Sequence, residues 1–89
     1  MYRIMIVEDD EVIARAVQQS LVSWGMDAFC VQDFSSVLAE FAVKNPQLVL
    51  MDIHLPFFNG FHWCQEIRKV SKVPVIFLSS ASDNMNIIM

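Results

Sequence analysis

The feature that most constrains this chain is the apolar run Leu48–Met51, which leads directly into the carboxylate of Asp52 and then into a loop that contains proline and ends at Gly60. A short run rich in Val and Leu that ends at a loop is typical of a β-strand buried on both faces. Asp52 then lies at the carboxyl end of that strand, where open parallel α/β sheets bind their ligands. An unpaired buried carboxylate is costly, so packing alone rarely selects one. The alternative is that Asp52 merely caps a turn.

Two further apolar runs end in polar groups in the same way. Tyr2–Val7 runs into the acids Glu8-Asp9-Asp10-Glu11, and Val73–Leu78 runs into Ser79-Ser80-Ala81-Ser82. Met26–Val31 is a weaker strand pattern. The sequence therefore predicts four strands.

Helical spacing of apolar residues separates these strands. The first helix is predicted over Glu11–Trp24, with Asp9 or Asp10 as its cap and Gly25 as its stop. The second begins at Ser35-Ser36 and ends before Pro46, the third follows Gly60, and a fourth begins at Asp83. The residues expected to face the core are Ile13, Val17, Leu21 and Trp24 in the first helix, Val37, Leu38, Phe41 and Ala42 in the second, and Trp63, Cys64, Ile67 and Val70 in the third.

Strands that alternate with helices predict right-handed crossovers and a parallel sheet. The chain of 89 residues has room for one such α/β domain. A net charge of −4 argues against nucleic acid or an anionic membrane surface as a direct partner. No apolar run approaches the ~20 residues of a membrane span and no signal peptide opens the chain, so we expect a cytoplasmic location. Cys30 and Cys64 have no metal-ligand spacing and are expected to be buried free thiols.

The polar strand ends predict one site, because the carboxyl ends of parallel strands meet at one edge. Glu8, Asp9 and Asp52 would repel one another there unless a cation offset their charge. Carboxylate oxygens suit Mg²⁺, which would also neutralise phosphoryl oxygens, so a carboxylate becomes a plausible phosphoryl acceptor that Ser79 could assist. The alternative is a solvated, capped helix start, which explains Asp10 and Glu11 well and Glu8 poorly.

Three segments together carry a resemblance to a known family. Ile6–Asp10, Asp52–Pro56 with Asn59-Gly60, and Pro74–Ser79 resemble the receiver domain of two-component response regulators, most closely those with a C-terminal winged-helix DNA-binding domain. The run Phe61–Cys64 is suggestive of the branch linked to peptide-antibiotic sensing. The resemblance implies a flavodoxin-like, doubly wound parallel sheet, here of about four strands in the order 2-1-3-4, with three helices and the start of a fourth.

The resemblance also implies a role for each matching residue. Asp52 would accept a phosphoryl group from a sensor histidine kinase, and the domain would catalyse at most its own phosphorylation and dephosphorylation. The Mg²⁺ would be held by Asp9 directly, by Glu8 through water, by Asp52, and by the backbone carbonyl of His54. Ser79 would be the switch hydroxyl that turns toward the phosphoryl group, and Ser80 the small residue that keeps the site open.

One departure from the family concerns the end of the chain. The family carries a lysine at the end of a fifth strand, and Lys44, Lys69 and Lys72 are all predicted at or just beyond helix ends. Residues 1–89 are therefore expected to be a receiver domain that lacks the fifth strand and fifth helix, with DNA bound only through a domain that is absent here. Without the lysine, phosphorylation is expected to be slow or absent.

The missing strand would leave Val75–Leu78 as a bare sheet edge, with Ile87, Ile88 and Met89 lacking an intramolecular partner. We therefore expect self-association through this edge, by strand pairing or by exchange of the C-terminal segment.

Three other functions are alternatives to this one. A phosphatase with an aspartyl nucleophile needs a second acid two residues after it, where this chain has His54. A nucleotide-binding module needs a glycine-rich loop, and the chain has only Gly25 and Gly60. A receiver-like binding module that never takes phosphate is disfavoured by the intact acidic set and favoured by the missing lysine.

Overall fold

The computed structural model describes residues 2–78 and the backbone of residues 87–88. In chain order its elements are β1 (Arg3–Val7), α1 (Glu11–Ser23), β2 (Asp27–Cys30), α2 (Val37–Lys44), β3 (Leu48–Asp52), α3 (Gly60–Arg68), β4 (Val75–Leu78) and β5 (Ile87–Ile88). Ser79, Ser80 and the predicted helix start at Asp83 lie outside the described residues. No helix among the described residues is long and apolar enough to cross a membrane.

The sheet has the order β2-β1-β3-β4-β5. β1 pairs in parallel with β2 and β3, and β3 pairs in parallel with β4, which confirms the predicted order 2-1-3-4. Val7 lies opposite Met51, and Asp52 lies opposite Leu78. The ends of β1, β3 and β4 therefore meet along one side of the sheet, here called the carboxyl edge. The opposite side, where these strands begin, is called the amino edge.

Helices cover the two faces of the sheet unequally. α1 packs on one face against a small core, whereas α2 and α3 pack on the other against a larger one. β1 lies between both cores because alternate side chains of a strand point to opposite faces. The buried residues of the small core are Ile4, Ile6, Ala14, Leu21 and Ala28. Those of the large core are Met5, Val7, Val31, Val37, Phe41, Val49, Met51, Trp63, Cys64, Ile67, Val75 and Phe77.

The prediction that β3 is buried on both faces is correct for one face only. Val49 and Met51 are fully buried in the large core, whereas Leu48 and Leu50 are half-buried. Their side chains point toward the face of α1, and the buried residues of that face come from α1, β1 and β2. β3 is therefore fully buried on one face, while on the other Leu48 and Leu50 pack against the small core as partly buried residues.

Several helix positions also differ from prediction. Trp24 is 71% exposed because α1 ends at Ser23, where the N–H groups of Trp24 and Gly25 donate back to Leu21 and Val22. Ile13 is exposed and the adjacent Ala14 is buried in its place, since the helix approaches the sheet through its smaller side chain. In the other helices, Ala42 and Val70 are exposed, and Val70 lies beyond the end of α3. Both cysteines are free, with Cys64 buried and Cys30 half-buried.

The prediction that β4 has no partner strand on its outer side is wrong for two of its residues. Ile87 and Ile88 pair in antiparallel fashion with Phe77 and Ile76. Unpaired backbone groups of an edge strand are strong hydrogen-bonding groups, and β-branched residues suit a strand. These two residues therefore form a strand rather than continuing the predicted fourth helix, and they have an intramolecular partner.

Candidate metal centre at the carboxyl edge

Three carboxylates meet at the carboxyl edge. Glu8 and Asp9 follow β1, and Asp52 ends β3, the strand paired with β1. Each offers an oxygen that lies within 4.8 Å of those of the other two. Glu8 and Asp52 are half-buried, and Asp9 is exposed. The parallel register thus brings together the three acids that the sequence predicted as one cluster.

Asp10 belongs to the helix start rather than to this cluster. Its carboxylate caps α1 by accepting hydrogen bonds from the backbone N–H groups of Val12 at 3.0 Å and Ile13 at 3.3 Å. Its own N–H donates to Glu8 at 3.1 Å, which orients the Glu8 side chain. Of the two caps left open by the sequence, Asp10 is the one used, and Asp9 remains in the cluster.

The cluster holds three carboxylates close together. Burial, followed by the neighbouring carboxylate of Asp52, raises the pKa of Glu8 from its usual 4.5 to about 7. Two of the chain's lysines are engaged elsewhere: Lys44 lies 5.7 Å from the centroid of the Phe29 ring, and Lys69 bonds Glu66 at 2.7 Å. A set of oxygen donors with a proton held near neutral pH suits a hard cation such as Mg²⁺, which would displace that proton.

Gly60 lets α3 begin directly against the end of β3. A Cβ at residue 60 would overlap the carbonyl oxygen of Asp52 and lie 2.9 Å from Cγ of Met51. The Gly60 N–H donates to the carbonyl of Ile53 at 2.9 Å, and Asn59 caps α3 by accepting from the N–H of His62 at 2.9 Å. The loop that follows Asp52 is therefore short and closed at its base.

The remaining predicted site residues are less defined. His54 lies on this loop, two residues beyond Asp52, with an exposed side chain. The metal-binding role of its backbone carbonyl stays a prediction. Ser79 and Ser80 lie outside the described residues, so their switch roles also stay predictions.

One group of residues at this edge was missed by the sequence reasoning. The ring of Phe58 stacks on His62 with centroids 4.2 Å apart, and both rings meet the buried Trp63 edge-on. The sequence feature that could have indicated these contacts is the number of aromatic residues in the loop and in the first turn of α3. From that segment, only a core position for Trp63 was predicted.

A parallel α/β sheet with an acidic cluster at its carboxyl edge defines a class of protein, and comparison with known proteins gives the family. Residues 4–89 match the family model described as response regulator receiver domain. The sensory transduction protein BceR of Bacillus subtilis is 44% identical over 89 residues, which are 100% of this chain and 38% of that protein. The chain belongs to the response regulator receiver domain family.

Solved structures agree with this assignment. The N-terminal domain of the nisin resistance regulator NsrR, described as a lantibiotic response regulator, has a TM-score of 0.86 and 42% identity, covering 96% of this chain and 72% of that one. The response regulator TrrA of Thermotoga maritima in complex with Mg²⁺ and BeF has a TM-score of 0.83 and 29% identity, covering 94% and 77%. A second TrrA structure, in complex with the histidine kinase ThkA, has a TM-score of 0.83 and 28% identity, covering 94% of this chain and 73% of the matched one.

Proposed function

We propose that this chain is a phosphorylation-dependent signalling switch in which Asp52 accepts a phosphoryl group from a sensor histidine kinase with Mg²⁺. The observation that carries the proposal is the convergence of Glu8, Asp9 and Asp52 within 4.8 Å at the carboxyl edge. Such a concentration of negative charge is unfavourable for the fold alone, and it becomes favourable when a cation binds. The matches to TrrA bound to Mg²⁺ and BeF, and to TrrA bound to a histidine kinase, support it.

Each carboxylate has a distinct task in this proposal. Asp9 directly, Glu8 through water, Asp52 and the backbone carbonyl of His54 would hold the metal. A carboxylate oxygen of Asp52 forms a bond to phosphorus while the bond from phosphorus to the kinase histidine nitrogen breaks, and that nitrogen leaves with the electron pair. When bound by these groups, Mg²⁺ would supply the positive charge that offsets the phosphoryl oxygens. Ser79 then contacts the phosphoryl group, and Ser80 leaves room for it.

Labelling of Asp52 tests the proposal. In a chain extended to the full length of its relatives, a sensor histidine kinase with Mg²⁺ is expected to give a base-labile acyl phosphate, and Asp52→Asn is expected to abolish it. Asp10→Asn is the matched control, since Asp10 caps α1 and lies outside the cluster. Labelling that persists in Asp52→Asn would place the acceptor elsewhere. The 89-residue chain is expected to label slowly or not at all, because no lysine of its sequence matches the family's lysine.

The chain spans 38% of the length of BceR. We propose that it acts as the receiver part of a cytoplasmic regulator, whose DNA contacts are made by another domain under control of the phosphoryl group. Similarity to the nisin resistance regulator NsrR, described as a lantibiotic response regulator, supports a stimulus from peptide antibiotics.

Self-association is a separate part of the proposal. Since Ile87 and Ile88 pair with β4 within the chain, exchange of this C-terminal segment between two copies is favoured over pairing of bare edges. Such exchange replaces one set of strand contacts by the same contacts from a second copy. Size exclusion with light scattering tests this self-association. We expect a dimer at protein concentrations on the order of tens of micromolar, and a clean monomer at those concentrations would rule the exchange out.

A further inference from the structure

The loop that follows the acidic cluster is short, and its two ends lie close together. It leaves β3 at Asp52, carries His54, and returns to α3 at Gly60, whose N–H donates to the carbonyl of Ile53 at 2.9 Å. Its outer part is exposed to solvent at Pro56 and beyond. The loop therefore links the backbone beside Asp52 directly to the start of α3.

The backbone of the loop is held in an unfavourable conformation. The N–H of Phe58 donates to the carbonyl of Pro56 at 2.8 Å, which makes a three-residue turn with Phe57 at its centre. Phe57 has a φ of 70°, in the region where residues with a Cβ are strained. A strained turn of this kind persists only when its surroundings determine it. Phe57 is 77% exposed, so its own side chain contributes little to that.

The ring of Phe58, which is 46% exposed, contacts two residues in the first turn of α3. It stacks on His62 with centroids 4.2 Å apart and an interplanar angle of 19°, and it meets Trp63 edge-on at 5.5 Å. The backbone of His62 lies in the first turn of α3, where its backbone N–H donates to the cap residue Asn59. Trp63 is 6% exposed, and its indole N–H has no hydrogen-bond partner among the described residues, so packing rather than hydrogen bonding places this ring.

We propose that Phe58 and His62 are positioning residues for the metal: their stack ties the outer loop to the first turn of α3 and thereby holds the Asp52–His54 backbone in the conformation that binds Mg²⁺. Neither side chain touches the metal in this role. The inference rests on the proposed Mg²⁺ site, and it assigns a function to two residues that the acidic cluster does not require.

The test is the dissociation constant of Mg²⁺, measured from the His54 amide shift in titrations of the 89-residue chain. Phe58→Ala is expected to weaken Mg²⁺ binding roughly three- to tenfold, which matches the usual strength of an aromatic pair. Phe58→Tyr keeps the ring and is expected to restore affinity to within about twofold. His62→Ala is expected to weaken binding as Phe58→Ala does, and the double variant no further, since both remove one interaction.

Phe61→Ala is the matched control. The ring of Phe61 lies on the same turn of α3 but packs on Phe77, with centroids 4.8 Å apart. Phe61→Ala is therefore expected to lower the free energy of unfolding without releasing the loop. Urea unfolding of each variant records that loss. Equal Mg²⁺ affinity in wild type and Phe58→Ala, or an equal loss in Phe61→Ala and Phe58→Ala, would overturn the inference. A wild-type chain that binds no Mg²⁺ would overturn the proposed function itself.

Discussion

The amino edge and the carboxyl edge of the sheet differ in how their charged side chains are paired. At the amino edge, Arg3 bonds the carboxylate of Asp27 at 2.8 Å and the carbonyl of Lys44 at 2.9 Å, and its N–H donates to Gln47. At the carboxyl edge, Glu8, Asp9 and Asp52 share a small volume, and burial and Asp52 raise the pKa of Glu8. The charged groups of the amino edge are paired within the fold, whereas the carboxyl edge brings like charges together.

Substitution of one glycine at each edge should give the largest difference between the edges in the free energy of unfolding. Gly60→Ala places a Cβ against the backbone of Asp52, so the start of α3 must shift, and we expect a loss of about 3 kcal/mol in the free energy of unfolding. Gly25→Ala, before β2 and toward the amino edge, is the control. A Cβ there meets nothing within 4 Å, and only the φ of 87° opposes it, at a cost of about 1 kcal/mol.

Urea unfolding of both variants measures the difference. Equal losses would show that α3 does not depend on close approach to the end of β3.

Removal of the Arg3 side chain at the amino edge should lower the free energy of unfolding by a smaller amount. Arg3→Ala removes hydrogen bonds that tie β1 to β2 and α2, and we expect a loss of about 1–2 kcal/mol in the free energy of unfolding. The ion pair with Asp27 is about half exposed, so Arg3→Lys, which keeps charge and loses the forked geometry, should recover only a minor part. Full recovery by lysine in thermal unfolding would mean that charge alone matters at this edge.

The carboxyl edge should make stability depend on pH. Because the pKa of Glu8 is raised to about 7 in the folded chain, the folded state binds more protons than the unfolded state between pH 4.5 and 7. The free energy of unfolding should therefore fall as pH rises through this window. Since Glu8 is partly exposed, we expect a fall of about 1 kcal/mol.

Glu8→Gln should remove this part of the pH dependence, since glutamine does not titrate and can still accept from Asp10. The measurement is urea unfolding at several pH values in the absence of divalent cations. An unchanged slope in Glu8→Gln would assign the effect to another group.

Much of the fold could be predicted because its cause is local. Alternating apolar strands and helices specify a parallel sheet, and the register of that sheet then brings Glu8, Asp9 and Asp52 together. Which acid caps α1 could not be predicted, since Asp9 and Asp10 are equally suited to a cap in isolation. Only the hydrogen bonds of Asp10 decide it.

Features that depend on tertiary contacts were beyond the sequence. The exposure of Trp24 follows from where α1 ends, and the half-burial of Leu50 follows from where α1 lies across the sheet. The pairing of Ile87 and Ile88 with β4 is a long-range choice that helical spacing does not report. The left-handed conformation of Phe57 contradicts its intrinsic preference, so only its surroundings explain it.

A Mg²⁺ titration of the 89-residue chain, followed by the backbone amide shifts of residues 8–10 and 52–54, tests the acidic cluster most directly. If the carboxyl edge is a metal site, Mg²⁺ should produce saturable shifts at both segments, while Arg3 and Asp27 at the amino edge stay unchanged. Asp52→Asn should weaken the response, because it removes one of the three carboxylates. Shifts that are absent at both segments, or that are identical in wild type and Asp52→Asn, would contradict a metal site built from these acids.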